Sequence, residues 1–491
     1  MKKFKNWRTN LILFFVVAAG GVIIGRLFFV QVLMNKYYTA QALGQQAGFV
    51  SEIGSRGQIY CSNSQDTKGT GFSSDQVKSL AINKDEWTIS AQVSEISDKE
   101  EFAQSLNQNI GLAKDEILQK LSSDADYIVI SKGIAEDDLN KLKALNLQGL
   151  KWEKISKRYY PQGELAANVL GFLGGEGKGQ YGVEGYYENI LKGDYGIREG
   201  KGLSLLFSDA KEESLDGADI YLTIDYNIQL EAESLLKQAK EKYDIDSGQI
   251  IVIKPDTGKI LALADYPSFN PNNYSGVKDM DVFQNGAVQK LFEPGSIVKP
   301  FTMAIALNEG KITPQTTYID TGEVTLSKET VHNFDNKIYG KQTMTQVLEN
   351  SINTGAVFAQ SQVSRKIFLN YLKKFGFTEK TGIDLQGEVF SKNENVMADS
   401  APDINIATAS FGQGIMITPM QMARAFCSLA NGGKLVKPYI VEGTTPVLSS
   451  QIMSKESLSQ LTSMMVSVVD NGFNKVAKIP GYYIAGKTGT A

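Results

Sequence analysis

The chain has 491 residues, 42% of them hydrophobic, enough for two or three globular domains. A net charge of −4, with Lys and Arg dispersed beyond the first few residues, gives no field to gather nucleic acid. Two cysteines far apart, Cys61 and Cys427, exclude a disulfide scaffold and a cysteine metal site, and nothing around the single histidine, His332, supports a Ser-His-Asp machine.

Met1-Lys-Lys-Phe-Lys-Asn-Trp-Arg8 carries four basic residues, so residues 1–10 read as a cytoplasmic tail. Leu11 to Gly25 is uninterrupted apolar or glycine, and Leu27-Phe-Phe-Val30 resumes after Arg26. Residues 11–33 therefore meet the roughly 20 residues a bilayer span needs, if Arg26 snorkels to the outer headgroups or packs on a partner helix. A cleaved signal peptide competes through the small residues Ala18-Ala-Gly-Gly21. Its apolar core would end at Val17 and leave apolar sequence unused, so an uncleaved anchor is expected, with the rest of the chain outside.

Residues 40–215 mix short strand-like runs, charged helical stretches and glycines without a catalytic set, which suits a spacer or partner-binding region. Thr223-Ile-Asp225 followed by Tyr226 to Lys240 reads as strand, cap and amphipathic helix. Gln249 to Ala264 reads as two strands around the turn Pro255-Asp-Thr-Gly258. A hairpin preceded by a helix, then a helical middle and a returning strand over 482–490, predicts an antiparallel sheet covered by helices in an α+β domain over 216–491.

Within that region Phe-Glu-Pro-Gly-Ser-Ile-Val-Lys-Pro-Phe (292–301) supplies Ser296 and Lys299, and Ser351-Ile-Asn353 and Lys487-Thr-Gly489 follow in order. This order marks serine acyl-transfer enzymes that use lysine where others use histidine. Each motif is weak alone, since Ser275-Gly-Val-Lys278, Ser105-Leu-Asn107, Ser391-Lys-Asn393 and Lys380-Thr-Gly382 repeat them. Context separates the copies. Ser275 lies in a turn-rich stretch, whereas Ser296 leads into a buried helix closed by Gly310, on which Lys299 one turn later reaches the serine hydroxyl. Lys380 sits in a polar loop, whereas Lys487 ends a run of strand formers. Gly481-Tyr-Tyr-Ile-Ala-Gly-Lys-Thr488 also spells a phosphate-binding loop, but its bulky interior and the lack of a following helix argue against nucleotide.

With these motifs in place the chain resembles the class B penicillin-binding proteins, membrane-anchored peptidoglycan transpeptidases. Gly54-Ser-Arg-Gly-Gln-Ile59, Arg158-Tyr-Tyr-Pro-Gln-Gly163 and Ala166-Ala-Asn-Val-Leu-Gly-Phe172 are similar to family blocks, as are residues 182–193 and 410–421. Glu293-Pro-Gly-Ser296 and the asparagine at 353 look more like the septal, cell-division type than the elongation type. The resemblance implies a β-lactamase-like, penicillin-binding transpeptidase domain over 216–491, after a single transmembrane helix and an elongated mixed α/β pedestal of dimerisation type over 40–215. It also implies further strands and a helix after the Lys-Thr-Gly strand, so the domain is expected to be incomplete at its C-terminus.

The same resemblance implies the chemistry. Ser296 attacks a D-alanyl-D-alanine stem peptide of a lipid-linked precursor polymer, D-alanine leaves, and a neighbouring stem amine resolves the acyl-enzyme. Lys299 acts as base, Ser351 relays the proton, Asn353 holds a substrate amide and Lys487 supplies positive charge. Thr488 and Thr490 bind the substrate carboxylate beside Gly489, and the backbone N–H groups of Ser296 and Thr490 form the oxyanion hole. β-Lactam antibiotics trap Ser296, no cofactor or metal is implied, and glycosyltransferase and divisome proteins are implied partners. A β-lactamase or D,D-carboxypeptidase, or a β-lactam sensor or scaffold without turnover, are the alternatives.

Overall fold

The apolar run near the N-terminus forms one helix, α1 (Trp7–Phe28), extended by a wider turn over Phe29–Leu33. The computed structural model describes residues 7–34, 50–62, 77–198, 216–326, 328–472 and 475–490. The basic residues 1–6, parts of the 40–215 region and Ala491 lie outside them. Leu13–Val32 has a mean hydropathy of 2.4 and none of it is buried by the protein. Arg26 does not leave this apolar surface bare of partners: its guanidinium lies 5.5 Å over the Phe29 ring.

The chain folds into two units and threads between them more than once. The first holds Met1–Gln58, Ala81–Tyr159 and Asn189–Asp219, and the second Ile59–Leu80, Tyr160–Glu188 and Ile220–Ala491. Composition along a line does not reveal such a path.

In the first unit the long strand β1 (Val77–Gln92) contributes residues from Ala81 onward. It is flanked by antiparallel β2 (Tyr127–Ile134) and β3 (Leu150–Tyr159). Helix α2 (Lys99–Ile110) starts where the Asp98 carboxylate accepts the Glu100 and Glu101 N–H groups, and stops at Gly111, whose φ of +73° favours glycine. Phe102 and Leu106 from α2 pack with Ile117 of α3 (Lys114–Leu121), Leu139 and Leu142 of α4 (Glu136–Ala144) and Ile89 into one core. Arg158 donates to the carbonyl of Gly57 at 2.8 Å, so two of the sequence blocks noted above meet.

In the second unit β4 (Ile220–Asp225) runs into α5 (Tyr226–Tyr243), with Asp225 as the cap. Strands β5 (Gly248–Ile253) and β6 (Ile260–Tyr266) form the expected antiparallel hairpin. Gly258 turns it with φ +84°, and a Cβ there would stand 2.4 Å from the Lys437 carbonyl. Ala232 and Leu236 of α5 cover Ala262 and Ala264 of β6. Strand β4 pairs in parallel with Ile59–Ser62.

Helix α6 (Lys299–Asn308) is the centre of the unit, buried from Lys299 to Leu307. Pro300 is tolerated in its first turn, where intrahelical N–H bonds are not yet made. The helix closes in a Schellman arrangement, Lys311 N–H to Ala306 O and Gly310 N–H to Leu307 O, with Gly310 at φ +63°. Around it pack α7 (Met344–Glu349), α8 (Asn353–Ser361), α9 (Arg365–Lys374), α10 (Pro419–Ala430) and α11 (Lys455–Asn471).

The strand expected over 482–490 is not formed. Residues 482–490 carry no ladder bond among the described residues, and Tyr482 and Tyr483 are 74% and 91% exposed. Strand propensity is realised only against a partner edge. Here the segment is held instead by one bond from the Gly486 N–H to Met465 O of α11 and by the Lys487 side chain.

Candidate active site

Ser296 lies on a 3-10 turn, Gly295–Val298, that feeds directly into α6. Gly295 adopts φ +58° and donates its N–H to the Gly412 carbonyl at 3.0 Å. Gly412 must itself be glycine: at φ +87°, a Cβ would fall 2.0 Å from the Gly295 oxygen. Phe292 and Ile417 exchange backbone bonds, Gly414 N–H reaches Glu293 Oε1 at 3.0 Å, and Thr302 Oγ1 donates to Ser410 O at 2.6 Å. The 410–421 block therefore buttresses the serine turn, a role its sequence did not disclose.

Lys299 is fully buried. Its Nζ donates to the Ser351 carbonyl, to Asn353 Oδ1 at 2.8 Å and to Ser351 Oγ at 3.3 Å. The sequence expectation that it bonds the Ser296 hydroxyl is not met in this state; the carbonyl and amide oxygens are stronger acceptors and claim its hydrogens. Burial, and then the positive charge of Lys487, hold the Lys299 ammonium well below its ordinary value.

Ser351 sits between α7 and α8 with φ +54°, a conformation that costs a non-glycine residue about 1–3 kcal/mol and gathers at working sites. Asn353 is the first residue of α8, and its Nδ2 donates to the His332 carbonyl at 3.0 Å. His332 thus meets the site through its backbone, while its ring faces Glu323 at 3.4 Å.

Lys487 Nζ donates to Ser351 Oγ at 2.9 Å and to the Thr488 carbonyl at 2.8 Å, and burial brings its pKa down to about 8. Gly489 lets the segment lie on the serine turn, since a Cβ there would stand 2.8 Å from Ile297 Cγ2. Thr488 and Thr490 are exposed beside it. Lys299, Ser351, Asn353 and Lys487 are thereby joined by hydrogen bonds, with the turn bearing Ser296 under Gly489. The second Lys-Thr-Gly is spent elsewhere: Glu388 accepts the Thr381 and Gly382 N–H groups at 2.6 and 3.0 Å. Among the described residues no group of His, Cys, Asp and Glu could hold a metal ion.

Comparison with known proteins gives this arrangement a family. The penicillin binding protein transpeptidase domain matches residues 248–491, and the penicillin-binding protein dimerisation domain matches residues 52–222. Stage V sporulation protein D of Bacillus subtilis is 30% identical, with 99% of this chain and 76% of that protein aligned. Peptidoglycan D,D-transpeptidase FtsI of Escherichia coli is 30% identical over 74% of this chain and 62% of its own length. The crystal structure of penicillin binding protein 2X from Streptococcus thermophilus shares the fold, with a TM-score of 0.74 at 24% identity over 90% of this chain and 71% of that one. On the match to the sporulation protein and to both domain families, the chain belongs to the class B penicillin-binding proteins.

Proposed function

We propose that Ser296 is the nucleophile of a peptidoglycan D,D-transpeptidase, and that Lys299, Ser351, Asn353 and Lys487 serve it. The chain is a membrane-anchored, penicillin-binding enzyme whose substrate is peptidoglycan. The observation that carries the site assignment is the meeting of two lysines, both held below their ordinary pKa, on one serine oxygen behind the turn of Ser296.

A neutral amine has two N–H bonds and one lone pair. In neutral Lys299 the nearer acceptors, Ser351 O and Asn353 Oδ1, take both hydrogens. The lone pair, on the side of the longer 3.3 Å contact with Ser351 Oγ, receives the Ser296 proton in this reading as Oγ bonds the penultimate D-alanine carbonyl carbon. Ser351 Oγ accepts from Lys487, hands its own hydrogen to the departing nitrogen as the C–N bond breaks, and takes in its place the proton that Lys299 received from Ser296, so that Lys299 is neutral again in the acyl-enzyme. A stem amine then attacks the ester, gives up its proton along the reverse route and restores Ser296. Thr488, Gly489 and Thr490, exposed on the edge of the site, are placed in this reading to receive the substrate's terminal carboxylate.

The finer assignments rest on the same reading. Residues 40–215 act as the pedestal and 216–491 as the catalytic region, although Ile59–Leu80 and Tyr160–Glu188 of the former fold into the second unit. The N-terminal tail is cytoplasmic and the rest extracytoplasmic, with glycosyltransferase and divisome proteins as partners. The septal type is supported by Glu293 and Asn353 and by a relative named FtsI. An intact mass from membranes that includes residues 1–22 supports the uncleaved anchor, and a mature start near Val22 replaces it with a signal peptide.

Fluorescent penicillin tests the nucleophile. Wild type labels, Ser296→Ala does not, and Ser275→Ala behaves as wild type. Labelling that survives Ser296→Ala defeats the assignment. Release of D-alanine together with cross-linked dimer separates transpeptidation from hydrolysis or mere sensing.

A further inference from the structure

We propose that Asp320 is a positioning residue for this site, clamping Asn333 and Thr354 so that the Asn353 amide turns its oxygen to Lys299; the inference rests on the assignment of Lys299 above. Asp320 ends strand β7 (Thr317–Asp320), which is followed by the hairpin β8 (Glu323–Leu326) and β9 (Glu329–His332). It is 2% exposed, and every group the structure places on its carboxylate is a donor. These are Thr354 Oγ1 at 2.6 Å, Tyr339 N at 2.7 Å, Gly322 N at 3.1 Å and Asn333 Nδ2 at 3.0 Å from each oxygen.

A carboxylate only accepts, so with the Lys337 carbonyl, which takes Asn333 Nδ2 at 3.0 Å, it fixes which way the Asn333 amide faces. Asn333 Nδ2 points to Asp320, and Asn333 Oδ1 is left to accept the Thr354 N–H at 3.1 Å. One residue earlier on both segments the sense is reversed, with Asn353 Nδ2 donating to His332 O at 3.0 Å. Residues 332–333 and 353–354 are thus tied side chain to backbone in both directions. With its nitrogen committed to His332, Asn353 can offer Lys299 only its oxygen, at 2.8 Å.

Asp320 itself touches none of the reacting groups. Burial opposes its ionisation, and the donors from Thr354, Tyr339, Gly322 and Asn333 outweigh that and hold the carboxyl below its ordinary value. Replacing it with an amide turns an N–H2 toward donors and leaves Asn333 Nδ2 held by the Lys337 carbonyl alone, which loosens the tie between residues 332–333 and 353–354 that orients Asn353.

The test is penicillin acylation resolved into the binding constant K and the acylation rate constant k2. Asp320→Asn is expected to lower k2 by about 10²-fold, the scale of an ångström's misplacement, with K little changed. Thr354→Val should lose k2 in the same way, because it keeps the shape and drops the hydroxyl, and Thr354→Ser should restore it. Wild-type k2 in Asp320→Asn, or k2 and K failing together as a merely structural loss would have it, overturns the proposal. If Asp320→Asn does not fold, the Thr354 pair decides: wild-type k2 in Thr354→Val overturns it equally. Labelling that survives Ser296→Ala would instead defeat the nucleophile assignment, whatever Asp320→Asn does.

Discussion

Lys299 and Lys487 converge on a single oxygen, Ser351 Oγ, at 3.3 and 2.9 Å. Two ammonium groups so placed repel, and the more buried one yields: Lys299 is held down by burial and by the charge of Lys487. Lys487, lowered by burial alone, loses its proton only near pH 8. The site therefore biases Lys299 toward the neutral amine while Lys487 keeps its charge to near pH 8, the division that a base and an anion-binding group require.

That ordering sets the pH dependence of acylation. The rate should rise with pH as Lys299 loses its proton and fall above about 8 as Lys487 loses its charge, giving a bell in k2/K. Lys487→Met removes the charge that depresses Lys299, so the Lys299 pKa moves up and the ascending limb moves to higher pH. An ascending limb unmoved in Lys487→Met would show that the two lysines are not coupled.

Lys299→Met separates proton transfer from packing. Methionine fills much of the lysine stem's volume, so the thermal transition should stay close to wild type. Acylation should fall by roughly 10²–10⁴-fold, the range of a lost general base. Normal labelling would leave Lys299 a packing residue.

The residues of the candidate site are legible where their spacing is local: Ser296 and Lys299 share a turn, and Ser351 and Asn353 straddle a helix start. The hairpin at Gly258 and the helix closed by Gly310 were equally local, written in turn and cap residues. What the sequence hid is long-range. The Gly412 contact with Gly295, the Asn353 tie to His332 and the Asp320 clamp join residues with no motif between them, and the 482–490 strand failed because propensity names no partner edge.

The stability of the second unit should hinge on α6. Phe301 is fully buried and meets Phe375, Phe377 and Phe426 edge-on at ring centroid distances of 5.0, 5.4 and 5.0 Å. Phe301→Ala opens a cavity among rings that cannot collapse far, and should cost about 3–5 kcal/mol. Denaturant unfolding of the two proteins measures it; a loss under about 1 kcal/mol would mean the helix is less central than its burial implies.

Gly489→Ala tests whether the terminal segment must lie on the serine turn. The added methyl would stand 2.8 Å from Ile297 Cγ2 and 3.3 Å from the Pro294 carbonyl. Ile297 cannot swing aside cheaply, because its Cγ2 is borne on a β-branched carbon with few χ1 choices. The exposed segment is the softer side and lifts, drawing Lys487 away from Ser351 Oγ. A displacement near 1 Å is expected to slow acylation by about 10²-fold, with the thermal transition unchanged because little is buried there. Gly175→Ala is the control, its Cβ meeting nothing closer than Tyr274 Oη at 3.8 Å. Wild-type acylation in Gly489→Ala would show that Lys487 reaches Ser351 without the close approach, and that glycine at 489 has another cause.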